Sequence, residues 1–233
     1  MNEAILKNFC ENMRENARAG SRLCIMNSEQ ETKMREWLAG YFLSPSAVNR
    51  QSEQYMDAVK VMAALETDAI IQSAGIDRPL QYGDVTGLIG AVLDAAGGLL
   101  KTAGVTLEYT LPEDSVYTAA EPRLMQIALA RLLRTAARVG ETIYADVALQ
   151  KKIITVIVTG ERQHFDRVAV QRAAVMLCEM ARLHGGTVVF EGKTAVFSLR
   201  REQYGSVGLF RVPTPAELIA DPLSPVRIGL ISV

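Results

Sequence analysis

The feature that most constrains the fold of this 233-residue chain is a change of texture at Gly75-Ile76-Asp77-Arg78-Pro79. From Asn2 to about Ser73 the sequence is rich in Glu, Met, Ala, Arg and Gln, and poor in Gly, Pro and β-branched residues, a composition that favours helix. Beyond the break, short alternating runs and longer helical runs mix without a regular βαβ repeat, as in a helix layer packed on one face of a mixed sheet. The expected class is α+β. The expected division is a helical domain over 1–77, a two-layer α/β sandwich over 78–200 and a Pro-rich tail over 201–233.

Within the helical part, Leu43-Ser44-Pro45-Ser46 is the clearest interruption, because Pro45 disfavours helix at Ser44 and the Ser46 hydroxyl can cap the next helix. In the second arm Tyr55, Val59, Met62, Ala63, Leu65 and Ile70 recur at near three-and-four spacing and make one apolar stripe. An arm of about 27 residues is roughly 40 Å long, and a stripe of that length needs a partner. A second copy of the chain supplies one at least cost, which predicts a helical hairpin that forms a dimeric four-helix bundle.

In the second part, Val85 to Thr102 reads as a helix and Val105-Leu107-Tyr109-Leu111 as an alternating strand. Pro122 to Val139 reads as a helix with proline in its first turn. Thr142 to Leu149 and Ile153 to Thr159 read as paired strands about Gln150-Lys151-Lys152. Asp166 to His184 is a helix ended by Gly185-Gly186, and Thr187–Phe190 with Thr194–Leu199 a hairpin. Pro213, Pro215, Pro222 and Pro225 rule out continuous structure in the tail, where Val226 to Val233 is expected to be a strand, on the sheet edge or added to a partner's sheet.

Composition narrows the function. A net charge of −1, with no basic run interleaved with aromatics, gives no pull toward nucleic acid. The N-terminus has scattered charges instead of the apolar core of a signal peptide, and nowhere do roughly 18 apolar residues run uninterrupted. The expectation is a cytoplasmic protein without a membrane span. Cys10, Cys24 and Cys178 lie far apart with no CxxC spacing, which points to neither a disulfide framework nor a zinc site.

Arg123-Leu124-Met125-Gln126, Leu183-His184-Gly185-Gly186 and Gly192 through Leu199 carry a resemblance. They are similar to the Arg-Leu-x-Gln, His-Gly-Gly and Gly-x-Thr-x-Phe segments of the ATP-binding domain of bacterial sensor histidine kinases. The order of elements over residues 5 to 200 resembles the catalytic core of that family. The resemblance implies a magnesium-binding asparagine about eight residues after Gln126, an adenine-reading aspartate after the strand that ends near Val158, and a glycine-bearing helix start beyond it. This chain has Arg134 or, one residue on, Thr135 at the first place, Gly160 at the second, and Gln171 and Ala173 at the third. Arginine brings positive charge where a metal would sit, and threonine is too short to reach it. Where the family carries a lid of some dozens of residues, only about Glu161 to Val168 remain.

Phe9 through Glu15 is similar to the family's phosphoacceptor segment, with Glu15 where histidine would stand, and no histidine precedes His164. Arg131, Arg134 and Arg138 fall at i, i+3 and i+7 on one helix face, either a solvated stripe or, with Glu15, a site for a partner. His184 is expected to cap a helix end, and His164 to be a loop residue beside Arg162 and Arg167. What the resemblance implies is a pseudo-histidine-kinase with no catalytic residue, cofactor or metal. It would be a dimeric adaptor in a phosphorelay, binding a receiver domain or a true kinase. A histidine phosphotransferase and an ATPase with altered nucleotide binding are the alternatives.

Overall fold

The computed structural model describes residues 80–162, 165, 170, 174, 177–178, 180–201, 208–221 and 224–230. The chain divides into two units, 1–77 and 78–233, and every described residue belongs to the second. The helical arms, their bundle and Glu15 therefore lie outside the described residues, as do His164, Gln171 and Ala173.

The second unit opens with strand β1 (Gln81–Asp84) and helix α1 (Val85–Thr102). Asp84 caps the helix, its carboxylate accepting from the Gly87 amide and the Thr86 hydroxyl, each at 2.9 Å. Thr86 in turn accepts from the Val116 amide at 2.7 Å, tying the helix start to the approach of β3 (Tyr117–Ala120). Val85, Leu88, Ile89, Val92, Leu93, Ala96 and Leu100 are buried, the i, i+3, i+4, i+7 pattern of a helix seated on a core. By length and a mean hydropathy of 1.3 this helix could cross a membrane, but most of it is buried inside the protein, which accounts for its apolarity.

Strand β2 (Thr106–Thr110), helix α2 (Pro122–Ala136), strands β4 (Thr142–Leu149) and β5 (Ile153–Gly160), then β6 (Val188–Glu191) and β7 (Thr194–Arg200) complete the layers. The five-stranded sheet has the order β2-β4-β5-β7-β6, with β2 parallel to β4 and every other neighbour antiparallel. Ala145, Val158 and Ala195 line up across three strands, as do Val147, Val156 and Phe197, and all six are buried. Intervening residues are half-buried or exposed, so only one sheet face meets the helices. Between β5 and β6 residues 170, 174, 177–178 and 180–183 are helical.

Two expectations are corrected in the tail. Val226 to Val233 reads as a strand in sequence, but Pro225–Leu230 is helix α4, preceded by helix α3 (Pro215–Ala220). The prolines expected to break structure begin it: Pro215 stands in the first turn of α3, and α4 starts at Pro225. Thr214 and Glu217 form a capping box on α3, and the Ser224 hydroxyl accepts from the Arg227 amide at 3.2 Å while donating to the Leu218 carbonyl at 2.6 Å. Earlier in the tail, Leu209 makes an isolated bridge to Tyr82 of β1, which pairs with β3 apart from the five-stranded sheet. The tail is part of the core: Val226 and Leu218 are buried, and a Cβ on Gly229 would lie 2.3 Å from the Cβ of Ala130 in α2.

Glycine is also obligatory at the end of the helical run before β6. Gly185 has φ 65°, and a Cβ on Gly186 would fall 1.8 Å from the Ser198 carbonyl oxygen of β7. Gly186→Ala is expected to lower unfolding free energy by about 3 kcal/mol, read as a shifted denaturant midpoint; an unchanged midpoint would mean that the close approach is not present in solution.

Candidate functional site

The C-terminal end of α2 meets the end of β5. Thr135, Ala136 and Arg138 from the helix side, Glu141 before β4, and Gly160 and Arg162 around the end of β5 line a cavity of about 10 Å³. Phe165 completes the lining and stands edge-on to Phe190, with ring centroids 6.3 Å apart. Such a space holds about one water molecule, whereas a pocket for a drug-sized ligand needs roughly 300 Å³ or more.

The polar groups around this cavity are engaged with the protein itself. The Thr135 hydroxyl donates to the Leu132 carbonyl at 2.7 Å, inside its own helix. Arg138 donates from Nη1 to the Ala137 carbonyl at 2.8 Å. Arg162 donates from Nε to Glu141 Oε1 at 2.5 Å; the carboxylate side chain is 17% exposed and the arginine 67%. An ion pair this exposed contributes only about 0–1 kcal/mol to stability. Its larger consequence is that both side chains are paired with each other at the cavity.

Of the two places expected for the asparagine equivalent, Thr135 lines the cavity, while Arg134 is half-buried and does not. Gly160 also lines the cavity, beside Thr135. Its amide donates to the Lys193 carbonyl at 3.0 Å, and a Cβ there would meet nothing closer than 3.6 Å. Nothing steric requires glycine at this position. β5 ends at Gly160 and residue 170 is already helical, so the connection is short.

Arg131, Arg134 and Arg138 do not form a solvated stripe: all three are half-buried, and each has an interaction within the protein. Burial, and then the charge of Arg134, lowers the pKa of Arg131 to about 10, which still leaves it charged at neutral pH. Glu141 was missed. Pairing of Ile143 with Gly160 in the β4–β5 hairpin sets residue 141 opposite 162, so hairpin register was the signal that could have found the pair.

His184 caps a helix end, as expected, and does more. Its Nδ1 donates to the Met180 carbonyl at 2.7 Å, and its Nε2 accepts from the Glu121 amide at 3.0 Å. An accepting ring nitrogen requires the neutral imidazole. Glu121 is the N-cap of α2, with its carboxylate accepting from the Leu124 amide at 2.5 Å, so His184 joins the end of one helix to the start of another. Burial lowers the pKa of His184 below its ordinary 6.5.

Among solved structures the chain is similar to full-length ShkA in complex with AMPPNP, with 13% identity and a TM-score of 0.51, over 74% of this chain and 43% of that one. This chain shares a fold with part of that structure. Histidine kinase AdeS of Acinetobacter baumannii (12% identity, TM-score 0.48, 72% of this chain and 93% of that one) and the ATP-binding domain of PrrB from Mycobacterium tuberculosis (17%, 0.39, 53% and 98%) are further matches. The fold assignment rests on the ShkA match. No protein-family model matches the chain, and no curated protein does.

Two outcomes are expected of this site. Because the folded pKa of His184 lies below the unfolded value of 6.5, its contribution to stability is complete above that pH and is lost as pH falls, since the unfolded chain then binds more protons. Denaturant titrations from pH 8 to 5 should show this loss, and His184→Ala, which strands the Glu121 amide and the Met180 carbonyl, should cost about 2–4 kcal/mol at pH 7.5 and flatten the acid limb. Gly160→Ala should raise stability by about 0.4–1 kcal/mol, because an extended glycine is replaced where room exists.

Proposed function

We propose that this chain is a pseudo-histidine-kinase: a dimeric, cytoplasmic, non-catalytic adaptor of two-component signalling that binds a receiver domain or a kinase. The observation that carries the reading is the cavity at Thr135 and Gly160, which is about 10 Å³ in volume and lined by polar groups bonded within the protein. Phosphoryl transfer depends on positioning and on charges aimed at the phosphates and their metal. Removing one such electrostatic group typically costs a few kcal/mol of transition-state stabilisation, so losing the amide, the carboxylate and the lid leaves little rate above solution. A frame that persists without its chemistry is useful as a surface.

Residues 1–77, expected from sequence to form a helical hairpin, are the proposed dimerisation and docking element, and Glu15 is the proposed contact there. On the α/β unit, Arg138 is the proposed second contact, because it stands at the cavity near the end of α2. Guanidinium groups pair well with the carboxylates of an acidic partner.

The test uses the intact chain with receiver domains and kinase cores from the same cell, some receivers carrying labelled phosphate. A sedimenting complex is expected, with the label retained on the receiver or lost to water. Arg138→Glu should weaken that complex about tenfold while leaving the melting temperature within a few degrees. Label transferred to this chain would establish a phosphotransferase, and failure of every receiver and kinase to bind would remove the adaptor role.

A further inference from the structure

Strand β2 is an edge of the five-stranded sheet, with β4 along one side and no other strand of the described residues along the second. The Thr106 amide donates to the Glu141 carbonyl at 3.1 Å. In a parallel ladder every second residue bonds to the neighbouring strand, so the backbone groups of Thr106, Glu108 and Thr110 face β4. Those of Leu107 and Tyr109 face the open side. Their side chains lie toward α1: a Cβ on Gly97 would sit 3.9 Å from Leu107, and the Tyr109 hydroxyl donates to Asp94. Edge strands are ordinarily blunted by proline, a bulge or a covering element. Within Thr106–Thr110 there is no proline, and the register with β4 runs unbroken.

Carboxylates flank the middle and far end of this edge. Glu108 and Asp146 are exposed on the sheet face away from α1, with Asp146 accepting from the Thr110 hydroxyl, and Asp94 is exposed on the α1 side. From Thr102 to Pro122 the chain has four acidic residues and no basic one. The neighbouring cations stand off the strand. Lys101 and Arg138 lie before its Thr106 end, where their carbonyls accept from the Gly104 and Glu141 amides. Lys151 and Lys152 are in the β4–β5 turn, past the stretch Thr142–Asp146 that pairs with β2.

We propose that β2 receives an extended segment of a partner protein as an added strand, and that this segment alternates apolar and basic residues. The backbone groups of Leu107 and Tyr109 supply the pairing. Alternation follows from the two faces of a strand. On the α1 side the apolar residues of the segment continue the row of Leu107 and Tyr109, and on the other side its basic residues stand opposite Glu108 and beside Asp146. A second copy of the chain does not fit. Pairing β2 with another β2 brings the carboxylates of both copies to one seam, where like charges destabilise the pair. The opposite edge of the sheet, β6, is a four-residue strand that carries Glu191 and no basic residue. Contact along five residues is small, so association is weak, with a dissociation constant on the order of 100 μM. No residue of β2 lines the cavity at Thr135 and Gly160, and strand addition does not depend on the pseudo-kinase reading.

The probe is a fluorescein-labelled peptide, Thr-Val-Lys-Val-Lys-Val-Thr with blocked ends, whose anisotropy is followed as the intact chain is added to about 1 mM. Saturable binding is expected, weaker in high salt. Methylating the peptide's amide nitrogens at alternate residues separates pairing from charge. One alternate set should abolish binding and the other should leave it, because a single edge of the peptide meets β2. Glu108→Lys should weaken binding about tenfold, whereas Glu191→Lys on β6 should bind like the parent; thermal melts within a few degrees of the parent show that both variants keep the fold. Several results would overturn the proposal: no saturable binding, equal binding by a peptide with glutamate in place of lysine, the same response to both methylation patterns, or equal effects of Glu108→Lys and Glu191→Lys.

Discussion

Helix α2 is enclosed on nearly all sides, and the rest of the unit is organised by that enclosure. Leu124, Met125, Leu129, Leu132 and Leu133 are buried, α4 lies against it at Ala130, and the sheet supports it from below. A helix buried all round cannot use water to satisfy its terminal amides. Its start is accordingly held by protein groups: the Glu121 carboxylate takes the Leu124 amide, and the neutral ring of His184 takes the Glu121 amide. That ring is itself fixed by the Met180 carbonyl, so one imidazole sets the relation between two helices. Its charged form would lose the acceptor on which the junction depends.

The same enclosure fixes the other end of α2. With the helix seated, Thr135 and Ala136 close on Gly160 and leave room for about a single water. The hydroxyl of Thr135 turns back to its own helix, and Glu141 and Arg162 pair across the β4–β5 hairpin. Packing and local hydrogen bonding engage the polar groups of this corner among the described residues. Among the described residues, the sheet face away from the helices is made of half-buried and exposed side chains. A frame that has filled its interior site still presents surfaces, which is the physical basis for reading it as a binding protein.

Most of the layered fold is legible in the sequence because long periodic segments carry their own signal. Val85 to Thr102 and Thr142 to Leu149 can be read to the residue from apolar spacing. Strands β1 and β3 cannot, since four residues such as Gln81-Tyr82-Gly83-Asp84 show no period; beside their pairing Thr86, bonded to Asp84, accepts from the Val116 amide, and Tyr82 bridges Leu209, far away in sequence. The tail helices escape for a related reason. Val226, Ile228 and Leu230 alternate like a strand, and proline reads as a breaker when at Pro215 and Pro225 it begins a helix. At the site, Thr135 and Gly160 line one cavity with Glu141, which belongs to no motif and emerges only from hairpin register. The half-burial of the arginine stripe is also beyond sequence reach, because that depends on what packs around α2.

The central claim is that the corner formed by Thr135 and Gly160 has no means of holding a magnesium-bound triphosphate. Isothermal titration of the intact chain with Mg-ATP measures it directly. The account predicts no saturable heat up to about 1 mM nucleotide. A dissociation constant in the micromolar range, abolished by Thr135→Trp at the cavity wall, would contradict it.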